Sequence, residues 1–81
     1  MTVQVEFFSR LKEATGVAKT GCSLPDGARV SDLLAKLHRD FPALEKWDAH
    51  IRVAVGVEWV ARDHPLRDGD TVSIMPPVSG G

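Results

Sequence analysis

At 81 residues the chain has room for one domain around one core, and a chain this short buries little more than about 60% of its unfolded surface. Hydrophobic residues at 43% and charged residues at 26% exclude disorder, collagen and coiled coil, and 10 basic against 11 acidic residues, a net charge of -1, leave no electrostatic footprint for nucleic acid or an anionic membrane. The single Cys22 excludes an internal disulfide, no apolar run nears the roughly 20 residues that span a bilayer, and Glu6 interrupts the opening MTVQVEFFSR where a secretory signal would stay apolar. The expectation is a cytoplasmic protein whose partners are proteins or small molecules.

In VQVEFF, Val3, Val5 and Phe7 alternate with Gln4 and Glu6, the period of a strand with one face on a core. SRLKEATG follows as a short helical turn, with Ser9 as the candidate N-cap and Gly16 as the stop. AKTGCSL is a weaker second strand ending at Pro25, and Pro25, Asp26 and Gly27 carry turn chemistry. Val30, Leu33, Leu34, Leu37 and Phe41 then lie along one stripe of a helix through VSDLLAKLHRDF, which Pro42 ends. Ser31 and Asp32 fall in its first turn and His38 and Arg39 in its last, the arrangement that suits the free amides and the helix dipole. ALEKWDAH is expected to be a loop. IRVAVGVEWVA reads as a hairpin, with Gly56 and Val57 fitting a type II′ turn. RDGD makes a further turn, and TVSIM a last strand with Val72 and Ile74 inward.

The same alternation puts Phe8, Trp59 and Met75 on outward phases. Three large apolar side chains on an outer sheet face are the kind of patch that marks a protein interface, with Arg10 and Lys12 as candidates for its rim. The competing placements are Phe8 tucked under the short helix and Trp59 packed against the loop. Cys22 has no local acid-base partner and reads as a small, half-buried strand residue. His38, His50 and His64 lack metal-ligand spacing, and Asp68 and Asp70 around Gly69 read as turn residues, so no metal site is assigned.

Two strands, one main helix and three more strands make an α+β protein. Order and length resemble the β-grasp, or ubiquitin-like, fold: a mixed sheet of about five strands covered by one main helix. FF near the start, AV leading into the hairpin and DHPLRDGDTVSIMPPVSGG at the end resemble the small-subunit family of molybdopterin synthase, the ubiquitin-like sulfur carriers. The resemblance covers nearly the whole chain, and its last 19 residues are the most specific part. It departs at the hairpin, where Gly56 and Val57 stand in place of the usual Asn-Gly. The chain is then expected to be one ubiquitin-like domain, 1–81, with 76–81 as a projecting tail.

The resemblance implies a chemistry for Gly81. An ionised terminal carboxylate, with a reference pKa of about 3.3 to 3.7, is a poor electrophile and needs activation. In the family an ATP-using activating enzyme adenylates that glycine, and a sulfur donor displaces AMP to leave a thiocarboxylate. The tail then enters the large subunit of the synthase, where sulfur passes to the pterin precursor. The chain is thus a sulfur-donating subunit without catalytic side chains or a cofactor of its own, ATP being bound by the activating partner. Phe8, Trp59, Met75, Pro76, Pro77, Val78, Ser79 and Gly80 are the partner-binding candidates. The physical fit is plain: Gly80 and Gly81 lack Cβ atoms and pass a narrow channel, while Pro76 and Pro77 end strand pairing and stiffen the departure. From Pro76 to Gly81 the reach is at most about 20 Å. The rival readings are a carrier for thiamin or another sulfur-delivery route, and a ubiquitin-like modifier that forms amide bonds with lysines.

Overall fold

Val3, Val5 and Phe7 are each no more than 2% exposed while the residues between them face outward, so the first strand, β1 (Thr2–Phe7), has the alternating burial expected of it. The computed structural model describes residues 1–76. In chain order the other elements are α1 (Arg10–Thr15), β2 (Lys19–Ser23), α2 (Val30–Asp40), a 3-10 helical segment (Pro42–His50), β3 (Arg52–Val55), β4 (Glu58–Val60) and β5 (Thr71–Met75).

The five strands form one mixed sheet in the order β2-β1-β5-β3-β4, with β1 parallel to β5 and the other neighbours antiparallel. The last strand therefore occupies the centre of the sheet. Val5 pairs with Val72 and Phe7 with Ile74, while on the other side Val53 pairs with Ile74 and Val55 with Val72. One face of the sheet is thus lined with apolar side chains, and Val30, Leu33, Leu34 and Leu37 of α2, all at 2% exposure or less, join them in a single core. Burying each leucine contributes roughly 1.5 to 3 kcal/mol. Phe7 meets Phe41, at the end of α2, edge to face with centroids 5.6 Å apart. This sheet order, with one main helix across one face, is the ubiquitin-like β-grasp.

Two local readings need correction. Ser9 makes no side-chain cap to α1. It adopts φ 56°, and the sharp turn is held by main-chain bonds from Leu11 N–H to the Phe8 carbonyl and from Lys12 N–H to the Ser9 carbonyl. At α2 the N-cap residue is Arg29, and Asp32 sits in the first turn as expected, its Oδ2 accepting the Arg29 N–H at 2.8 Å in a capping box. The amides of Val30 and Ser31 donate to the carbonyls of His64 and Arg62, acceptors from a loop distant in sequence. The stretch ALEKWDAH is no open loop: after Pro42 it coils into the 3-10 segment and drives Leu44 to zero exposure.

Other turns follow their sequence. Gly56 takes φ 62° while Val57 does not go positive, and Val55 faces Glu58, the geometry of a two-residue type II′ hairpin. Asp68 Oδ1 accepts the Thr2 N–H at 2.7 Å and Asp70 Oδ2 the Arg67 N–H at 2.8 Å, so both aspartates serve the turn. Among the described residues no helix is long and apolar enough to cross a membrane.

Candidate functional site

The helices cover one face of the sheet, which leaves the other to β1, β5, β3 and β4. At the end where β5 stops, that outer face carries Phe8, Met75, Arg52 and Trp59. Phe7 pairs with Ile74 in parallel register, and Phe8 N–H continues the ladder to the Ile74 carbonyl at 3.2 Å, which sets Phe8 beside Met75. Met75 in turn pairs with Arg52, and Trp59 with Ala54. The turn at Ser9 carries the chain into α1 directly after Phe8, and Phe8 stays 40% exposed, not tucked beneath the helix. Trp59 is 54% exposed, which rules out the placement against the loop as a core residue. Met75 and Pro76 are half-buried.

Between these side chains lies a floor of small residues. Ser73 and Ala54 pair across β5 and β3 and are 9% and 6% exposed, hemmed in by their larger neighbours on the outer face. A cleft of about 410 Å³ adjoins Phe8, with Lys12 and Lys19 on its wall. Arg10 opens α1 and is exposed. The remaining candidates, Pro77, Val78, Ser79, Gly80 and Gly81, lie outside the described residues.

Two features of the surface escaped the sequence reading. The Arg52 guanidinium stacks 4.3 Å from the centroid of the Trp59 ring, a cation–π contact. Its signal was present in the strand parity: Arg52 lies two residues before Ala54, the partner of Trp59, and diagonal same-face neighbours reach one another across antiparallel strands. The second is a polar clamp on the helical side. His38 Nε2–H donates to Asp48 Oδ1 at 2.5 Å, Arg62 donates to the same oxygen at 3.0 Å, and Arg62 also donates to the Asp48 carbonyl. The clamp ties α2, the 3-10 segment and the chain after β4, and no local pattern announces it.

Hydrogen bonds from His38 first, and from Arg62 second, hold the Asp48 carboxyl below the ordinary carboxylate range. A depressed folded pKa adds stability that is present above the unfolded value, about 3.9, and lost as pH falls through the folded one. Asp48→Asn should therefore lower the melting temperature at neutral pH and converge on the native sequence in acid. Coincident melting temperatures at pH 7 would show that the clamp adds nothing to stability, and a difference that does not shrink below pH 3 would show that ionisation of Asp48 is not its source.

Cys22 is only 4% exposed, more deeply buried than the half-buried position expected, and burial raises its thiol pKa. His50 is exposed, and among the described residues no group of three or more His, Cys, Asp or Glu is placed to hold a metal.

Comparison with known proteins decides the family. A family model described as the ThiS family matches residues 5–81. The chain belongs to the ThiS family. It is 37% identical, over the whole of both chains, to the molybdopterin synthase sulfur carrier subunit of Chlamydomonas reinhardtii. Among solved structures it is similar to small archaeal modifier protein 1 (SAMP1) from Haloferax volcanii, at 30% identity and a TM-score of 0.89 over 100% of both chains. It is also similar to a chain in the protein–protein complex of subunits 1 and 2 of the molybdopterin-converting factor from Helicobacter pylori, at 30% identity and a TM-score of 0.74, again over 100% of both chains. A chain similar to this one in fold and sequence is thus seen in complex with a partner subunit.

Proposed function

We propose that this chain is the sulfur-carrier subunit of a molybdopterin synthase, working in the cytoplasm in molybdenum cofactor biosynthesis. The observation that carries the reading is the end-to-end match to a curated sulfur carrier subunit, which aligns the whole of both chains. In this reading an activating enzyme binds ATP and joins AMP to the Gly81 carboxylate, releasing pyrophosphate. A sulfide-level donor then attacks the acyl carbon, the new C–S bond forms as the bond to AMP breaks, and loss of the sulfur's proton leaves Gly81 as a thiocarboxylate. The face built from Phe8, Met75 and Trp59 docks on the large subunit, and residues 76–81 deliver the sulfur to the pterin precursor there. This chain contributes position and a reactive terminus; the activating enzyme and the large subunit supply the catalytic side chains.

The burial of Cys22 favours such a division of labour, because it keeps the one side-chain thiol away from the carried sulfur.

A second reading is favoured by the likeness to SAMP1 and by 32% identity to small archaeal modifier protein 3 of Haloferax volcanii: attachment of Gly81 to lysines of other proteins. Incubation with the activating enzyme and ATP in a lysate, followed by a denaturing gel probed for this chain, separates the two. The carrier reading predicts a single band at the mass of the free protein, and a ladder of heavier bands that survives reducing agent would assign the chain to the modifiers.

A further inference from the structure

Arg52 is the exception in an otherwise apolar patch. Its register partner on β5 is Met75, its diagonal neighbour on β4 is Trp59, and among the described residues it enters no ion pair. The guanidinium carbon lies 4.3 Å from the indole centroid, and among the described residues the side chain donates no hydrogen bond, so its N–H groups are available to a planar, two-oxygen acceptor. Beside the ring lies a notch of about 300 Å³ walled by Arg52, Trp59 and Arg62, and no acidic residue lines it. Arg62 is committed to Asp48, so the notch has one uncommitted guanidinium and an excess of positive charge.

We propose that the protein partner docking on this face seats the carboxylate of an aspartate or glutamate in the notch, paired with Arg52 and resting on Trp59. The proposal rests on the reading of the face as the docking surface for the large subunit, and it names the chemistry of that subunit's contact. The occupant is a protein side chain because Arg52, on the wall of the notch, pairs in register with Met75, next to Phe8, and these partly exposed apolar side chains call for a protein interface around the charge. A guanidinium pre-stacked in this way loses little freedom on pairing, and a like charge placed against the incoming carboxylate is strongly unfavourable.

The test measures affinity for the purified cognate large subunit, by calorimetry at low and high salt, for the native chain, Arg52→Gln and Arg52→Glu. Arg52 is exposed, so both variants should melt with the native chain, and the neutral glutamine variant keeps the comparison valid if the glutamate variant does not fold. The expected order is native, then Gln, then Glu, with Arg52→Glu weaker by about tenfold or more and Arg52→Gln flattening the salt dependence. If the native chain binds and both variants bind within twofold of it, the carboxylate contact is overturned while the docking face stands. If the native chain does not bind, the reading of the face fails and the contact with it.

Discussion

Removal of Gly81, or extension of the chain past it, is expected to abolish sulfur transfer and to leave thermal unfolding nearly unchanged. The chemical half of this expectation follows from the carboxylate. Only a free terminal carboxyl presents an acyl carbon that adenylation can activate, and an added residue moves that carbon past the position the tail is built to deliver. The steric half follows from glycine, which brings the main chain close to a nucleophile without a Cβ in the way. Stability should be indifferent because the buried core runs from Val3 to Ile74 and is closed by the pairing of β5 with β1 and β3 before the tail begins. Circular dichroism melting of the shortened, extended and native chains, beside a sulfur-transfer assay, checks both halves. A large fall in melting temperature on deletion of one terminal glycine would mean that the tail is part of the domain's packing, and delivery into a partner would lose its basis.

Trp59→Ala should weaken binding to the large subunit by about 2 kcal/mol or more, the loss expected of an aromatic anchor buried in an interface. It should cost the fold much less. Core aromatics lose roughly 3 to 5 kcal/mol on truncation to alanine, and Phe7, at 2% exposure with Phe41 against it, is the internal standard for that class. Trp59 is 54% exposed and its ring carries the Arg52 guanidinium, a cation–π contact of about 0.5 to 1 kcal/mol at exposed sites. Urea unfolding and partner affinity measured on one preparation of each variant distinguish the classes. If Trp59→Ala destabilises the fold as severely as Phe7→Ala, and the folded fraction binds with native affinity, Trp59 belongs to the core and the docking face must be drawn elsewhere.

Much of this architecture was legible in the sequence because its signals are local and periodic. Alternation in VQVEFF and TVSIM assigns each residue to a face, and the spacing of Val30, Leu33, Leu34 and Leu37 fixes the buried stripe of α2; the structure agrees with both. The outward placement of Phe8, Trp59 and Met75 came from the same alternation. What was not legible depends on the chain meeting itself at long range. Local preference places Asp32 in the first turn of α2, where it accepts the Arg29 N–H, but nothing near α2 in sequence says that the carbonyls of Arg62 and His64 will take its next two amides. The 3-10 segment resembles a loop by composition, and only the burial of Leu44 and the clamp on Asp48 give it shape. The central position of β5, which sets Phe8, Met75 and Arg52 side by side, is a property of strand order that periodicity does not carry.

The claim that Gly81 carries sulfur is tested most directly by intact-mass spectrometry of the native chain after incubation with the cognate activating enzyme, ATP and a sulfur source. The account predicts a mass increase equal to the exchange of one oxygen for one sulfur, localised by fragmentation to Gly81, with Cys22 unmodified. Protein of unaltered mass, in a mixture that converts an established carrier, would contradict it.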